Sequence, residues 1–165
     1  MVDENLPTAD DWASIKREGS VQPVWAGDAS ISAELLQEII DAARNGVPNE
    51  ACGLLVAPSY IDEGGAPTRY VALRNAAESP YRYMIDPEEQ LRVWLELEDG
   101  GEVPWAIVHS HVASPAAPSA TDVGLAYFPD SLYVICSLAD PERPTVQAWS
   151  IRDGTVTEVP LAVTP

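Results

Sequence analysis

Histidine is scarce in this chain: 165 residues contain two, His109 and His111, separated by one serine. Cysteine is as rare, with Cys52 and Cys136 in separate apolar segments and no C-x-x-C pair. Both read most simply as reduced, buried small hydrophobes, and nothing near Cys52 obviously activates it. Basic residues are few, since Lys16 is the only lysine and nine basic side chains face 26 acidic ones, for a formal charge of −17. Such a chain repels phosphate backbones and anionic lipid, so neither nucleic acid nor a membrane is expected as a partner. The same acidic excess suits a saline interior, which would give it no role in function. No apolar run approaches the roughly 18 residues of a transmembrane helix. The start, Val2-Asp3-Glu4-Asn5, lacks the basic and apolar segments of a signal peptide, which makes the cytoplasm the expected compartment. Internal repeats, low-complexity tracts and a glycine-rich phosphate cradle are also missing.

What is present fits one domain, with 46% apolar residues and enough length for one substantial core. Residues 1–20 are polar and acidic and read as a loosely ordered extension, leaving 21–165 as the folded unit. Val21 to Trp25 is a short strand candidate. Ser30 or Ser32 then caps a helix whose apolar face is Leu35, Leu36, Ile39, Ile40 and Ala43, ended by Gly46 and Pro48. Ala51 to Ala57 is a continuous apolar strand, buried on both faces. After a polar loop containing Gly64-Gly65, Thr68 to Arg74 pairs back as a hairpin. Asn75 to Tyr83 is irregular, and its tyrosines, Tyr81 and Tyr83, offer an aromatic surface or simply cover the sheet edge. Asp86-Pro87-Glu88-Glu89 is a helix start, with Asp as N-cap, Pro at N1 and Glu at N3. Leu91, Val93, Trp94, Leu95 and Leu97 continue that helix to Gly100-Gly101. Strands follow over 131–138 and 145–151, and Asp153-Gly154 turns into a last strand over 155–163. The order β-α-β-β-α-β-α-β-β-β specifies an α/β (α+β) domain, one mixed β-sheet flanked by helices.

The stretch that organises the rest is Trp105 to Asp122. Four apolar residues, Trp105 to Val108, read as the buried end of a strand. His109 and His111 follow, and because strand side chains alternate, both point to one face and can share a metal ion. Beyond a loop with Pro115 and Pro118, Ser119-Ala120-Thr121-Asp122 leads into a helix-like Val123 to Tyr127, so Asp122 can return as a third ligand. Each piece has an ordinary reading too. Two histidines on a strand are commonly surface or core residues, and Ser119 with Asp122 is an ordinary capping box; that role and metal binding can coexist. Glu50, at the mouth of the 51–57 strand, is placed as a catalytic base or as a solvated loop acid.

The available chemistry is narrow. Amidohydrolases that open on H-x-H need a barrel of about 250 residues. Zinc sites of the H-x-H-x-D-H type need more histidines, and zinc deaminases need P-C-x-x-C. A catalytic zinc here must take a carboxylate as its third protein ligand and leave water in the fourth place.

Glu50, then His109-Ser110-His111, seven residues, Ser119, two more and Asp122 resembles the JAMM or MPN-plus zinc metallopeptidase signature. The resemblance spans about residues 21–160. It is closest to the bacterial CysO-cysteine peptidase type through N-E-A-C-G-L-L at 49–55, N-A-A-E-S-P at 75–80, D-P-E-E-Q-L-R-V-W at 86–94 and P-S-A-T-D at 118–122. It implies an MPN fold of cytidine-deaminase-like layers. It also implies one zinc ion with a bound water held by His109, His111 and Asp122, with Glu50 as general base and then acid, and Ser119 as oxyanion donor. Ser110 faces the other way and reads as structural. The implied substrate is an amide at the C-terminal Gly-Gly of a ubiquitin-like sulfur-carrier protein, with cysteine or another amino acid released. Its tail would run between the 112–118 loop and the Tyr81 to Tyr83 segment. Two alternatives stand beside this one: an isopeptidase removing a ubiquitin-like modifier from protein lysines, and a non-catalytic MPN-like interaction module. Oligomeric state is not legible.

Overall fold

The computed structural model describes residues 29–165; the expected N-terminal extension and the strand expected at Val21 to Trp25 lie outside the described residues. Strand β1 (Ala29–Ser32) leads directly into helix α1 (Ala33–Gly46). Of the two serines, Ser32 is the cap, its hydroxyl accepting from Leu35 N at 3.2 Å. Strands β2 (Cys52–Ala57) and β3 (Arg69–Leu73) form the expected antiparallel hairpin, with one short 3-10 turn at Ile61–Glu63 in the loop between them. Helix α2 (Pro87–Gly100) starts as its sequence dictates: the Asp86 carboxylate accepts from Glu88 N and Glu89 N, Pro87 occupies the first turn, and Gly101, at φ 64°, closes the end. Strand β4 (Val103–His111), helix α3 (Ala120–Gly124) and strands β5 (Leu132–Ser137), β6 (Thr145–Arg152), β7 (Thr155–Val159) and β8 (Leu161–Thr164) complete the chain.

Three expectations are corrected. The strand expected over 155–163 is two strands, broken at Pro160, which has no N–H to give a ladder. The one expected sheet is accordingly two. β3-β2-β4-β5-β6-β7 form a six-stranded mixed sheet, while β8 leaves it to pair in parallel with β1. The helix expected to run on to Tyr127 also stops at Gly124, because Phe128 turns inward against Trp94 and its N–H donates to the Tyr133 hydroxyl.

The six-stranded sheet is a middle layer. Leu35, Ile39 and Ala43 of α1 pack with Leu55, Val108, Val134 and the β1–β8 pair on one face. Val93 and Leu97 of α2 pack with Leu54, Ile107, Tyr133 and Ile151 on the other. β2, β4 and β5 are buried at almost every position, which explains their continuous apolar runs. Each fully buried Leu or Ile there contributes about 1.5–3 kcal/mol. Among the described residues no helix is long and apolar enough to cross a membrane.

Register positions the site. β2 runs antiparallel to β4 with Cys52 opposite His109. Carrying that ladder two residues further sets Glu50 across from His111, so the residue just before β2 meets the last residue of β4 at one sheet end. β4 and β5 are parallel, and their crossover returns over the same end, delivering Ser119 and α3.

Candidate metal centre

His109 and His111 project from β4 on the α2 side of the sheet, 1% and 3% exposed. Their Nε2 atoms are 3.1 Å apart. Asp122 closes a triangle: Oδ1 is 3.3 Å from His109 Nε2 and Oδ2 is 3.2 Å from His111 Nε2. Those three separations decide what the group can do. Two imidazole nitrogens facing each other at that distance can share only one proton, whereas a cation between them satisfies all three lone pairs. Ligands at 2.0–2.1 Å from a tetrahedral zinc lie about 3.3–3.4 Å from one another, close to the spacing observed. The donor set therefore fits a divalent ion of the zinc type, and His109, His111 and Asp122 could hold it.

The second ring nitrogens are held differently. His111 Nδ1–H donates to Pro115 O at 2.7 Å, which fixes the tautomer that leaves the Nε2 lone pair free. His109 Nδ1 is buried without a hydrogen-bond partner, and the Tyr83 ring stacks on that imidazole at 4.4 Å and 22°. Burial holds the His109 pKa below its ordinary value against the pull of Asp122. For His111, burial pulls down but is outweighed by the bonds to Asp122 and Pro115, so its pKa is raised. Asp122 is likewise penalised by burial, yet the two imidazoles and the Ser119 N–H at 2.7 Å hold it well below the usual carboxylate range.

Ser119 and Asp122 do form the capping box: Ser119 Oγ accepts from Asp122 N at 3.1 Å while the carboxylate accepts from Ser119 N. The cap spends one lone pair of Oγ and leaves its O–H free to donate. Ser110 points away and accepts from Ala51 N at 2.8 Å, the structural part expected of it. Glu50 is buried at 5% exposure, and its Oε2 has no partner. Burial pushes its pKa up to about 7, with His111 opposing and Asp122 reinforcing the rise. Cys52 is buried beside it and inert, its thiol donating to Leu73 O and pushed up to about 12 by burial. The 112–118 loop is pinned from three strands: Ser114 O accepts from Ser137 Oγ, Pro115 O from His111, and Ala116 O from Trp149 Nε1 at 2.8 Å.

Sequence reasoning gathered Glu50, His109, His111, Ser119 and Asp122, and all five lie at this sheet end. It missed the stacking of Tyr83, which it read as an aromatic surface, a cover for the sheet edge or a flank of the substrate tail; Tyr81 is the exposed one, at 87%. It also assigned no role to Asn75, whose position at the head of N-A-A-E-S-P was the one available signal.

Comparison with known proteins gives the family. A family model described as prokaryotic homologs of the JAB domain matches residues 32–152. A CysO-cysteine peptidase of Mycobacterium tuberculosis is 45% identical over 133 residues, covering 81% of this chain and 89% of that protein. A desampylase of Haloferax volcanii is 33% identical over 126 residues, 73% of this chain and 87% of its own length. The solution structure of protein DSY2949 from Desulfitobacterium hafniense superposes with a TM-score of 0.73 at 34% identity, covering 82% of this chain and 92% of that one. The chain belongs to the prokaryotic homologues of the JAB domain, as a hydrolase of the JAMM type.

Proposed function

We propose that this protein is a zinc peptidase that hydrolyses the amide at the C-terminal Gly-Gly of a ubiquitin-like sulfur carrier, releasing cysteine or another amino acid. The observation that carries the proposal is the convergence of His109 Nε2, His111 Nε2 and the Asp122 carboxylate within 3.1–3.3 Å, beside a buried carboxyl with a free oxygen. His109, His111 and Asp122 would hold one zinc ion. When bound, zinc polarises a carbonyl and brings the pKa of a water to about 7. Glu50 takes a proton from the attacking water and delivers it to the amine nitrogen as the C–N bond breaks. A carboxyl whose pKa burial has brought to about 7 is suited to both directions of that transfer. The free O–H of Ser119 donates to the oxygen that gains charge, a contact typically worth about 2.7–4 kcal/mol in such sites. Glycine at the cleavage point suits the site, since a tail without side chains can approach ligands this deeply buried.

Likeness to a CysO-cysteine peptidase favours the carrier–amino acid amide. Likeness to a desampylase favours the second reading, an isopeptidase acting on a modifier joined to lysine. Incubating the enzyme with a carrier–cysteine amide and with a carrier–lysine isopeptide, and weighing the products, separates the two. Release of cysteine at least tenfold faster supports the first; preference for the isopeptide overturns it. Cleavage of neither by zinc-loaded protein removes the peptidase reading.

A further inference from the structure

The N-A-A-E-S-P segment plays no part in the chemistry above, yet the side chain of its first residue makes four hydrogen bonds beside the site. The Asn75 carboxamide uses all four of its hydrogen-bonding positions. Its Oδ1 accepts from Ala77 N and Met84 N, both at 3.0 Å. Its Nδ2 donates to Glu50 O at 3.0 Å and Arg82 O at 3.1 Å. Backbone donors lie on one side and backbone carbonyls on the other, so the orientation of the amide admits no flip. Ser79, in the same loop, accepts from Glu50 N at 2.9 Å. Both backbone groups of Glu50 are thus held by the 75–84 loop. The two residues that Asn75 grips at the far side, Arg82 and Met84, flank Tyr83, the ring stacked on His109.

We propose that Asn75 is a positioning residue that sets Glu50 relative to the His109–His111–Asp122 group and, through Arg82 and Met84, holds Tyr83 on His109. The reason is geometric. Glu50 precedes β2, and the sheet holds the chain only from Ala51 onward, through Ala51 N to Ser110 Oγ and Ser110 N to Ala51 O, so the partners of Glu50 N and Glu50 O themselves come from the 75–84 loop. His109 lacks the Nδ1 bond that orients His111, so on that side of the imidazole the stacked Tyr83 ring takes the place of a hydrogen bond in limiting its rotation. One side chain clips both together. A mutual placement good to about half an ångström is what proton transfer at such a site requires. This assignment rests on the function proposed above.

The test is Asn75→Asp, which keeps the acceptor and replaces the donor with an oxygen facing two carbonyls. In metal-free protein, amide exchange at Glu50 is expected to rise at least about tenfold, with the core amides of Leu54 and Ile107 unchanged. With zinc and a carrier–amino acid amide, kcat is expected to fall about 10- to 100-fold with KM within about threefold. The Co²⁺-loaded visible spectrum is expected to shift as His109 loosens, and Tyr83→Phe, which keeps the ring, is expected to leave it in place. Unchanged exchange at Glu50, or exchange raised equally across the core, overturns the proposal; so does an unchanged kcat. Asn75→Ser gives the same readings should the aspartate variant not fold. If wild-type protein cleaves no carrier conjugate, the function falls while Glu50 exchange still decides the role of Asn75.

Discussion

Burying a carboxyl with one oxygen unpaired predicts a pH-dependent weakness in the metal-free protein, traceable to Glu50. Its pKa stands at about 7 when folded, against an ordinary 4.5. A raised acid pKa means that the folded state binds the proton more tightly. Stability from this group is therefore whole below about pH 4.5 and is lost as pH climbs to about 7, where the folded carboxyl ionises. At about 1.4 kcal/mol for each tenfold change in proton affinity, the loss is about 3 kcal/mol at most. His109, His111 and Asp122 titrate in the same protein, so the useful quantity is a difference. Glu50→Gln has nearly the same shape and does not ionise. In EDTA, urea unfolding at about pH 5 should give the two proteins a fixed offset, and at about pH 8 the glutamine form should gain up to about 3 kcal/mol on that offset. Zinc added at pH 8 should shrink the gain, because a cation beside Glu50 favours its charged form. An offset that is the same at both pH values would refute the claim that burial controls this carboxyl.

The remaining expectations are narrower. His109→Ala should lose bound zinc, measured as metal per protein after dialysis, whereas Glu50→Gln should keep zinc and lose nearly all turnover; equal zinc in wild type and His109→Ala removes the ligand assignment. Cys52, its thiol pushed up to about 12, should resist iodoacetamide at about pH 8 until the protein unfolds; rapid native labelling would contradict its burial. Trp149→Phe stays aromatic but is smaller than the indole and drops the donor to Ala116 O, and should cost at least about 1 kcal/mol by urea unfolding together with a faster loss of zinc to a chelator. A stability loss with unaltered zinc release would mean that the 112–118 loop does not hold His111.

Much of the fold was legible because its signals are local. The Leu35, Ile39, Ala43 spacing, the Asp86-Pro87 start and the continuous apolar runs of β2 and β5 each declare an element within a few residues. Pro160 carried the signal for the broken last strand, but the consequence was not local: which strand β8 joins depends on β1, some 130 residues earlier, with Ala29 opposite Leu161. Register is similarly remote. That Cys52 faces His109, and hence that Glu50 meets His111, is a pairing between segments more than fifty residues apart.

The candidate site divides along the same line. His109, His111, Ser119 and Asp122 sit in one short stretch, where strand alternation and a capping box are readable, so His109, His111 and Asp122 could be grouped as candidate ligands before any coordinates. Glu50 needed the resemblance, because an acid before a buried strand looks the same whether solvated or catalytic. Tyr83 and Asn75 could not be found that way. A stacking partner is recognised only by the ring it covers, and an amide that spends four hydrogen bonds on residues 50, 77, 82 and 84 is recognised only when those backbones are in place. The atoms offered to a metal are therefore written contiguously, while the groups that aim them are scattered along the chain. That division follows from the physics. Ligands must share a strand face and a helix start, which sequence spacing controls, whereas orientation comes from packing, which only the assembled sheet end supplies.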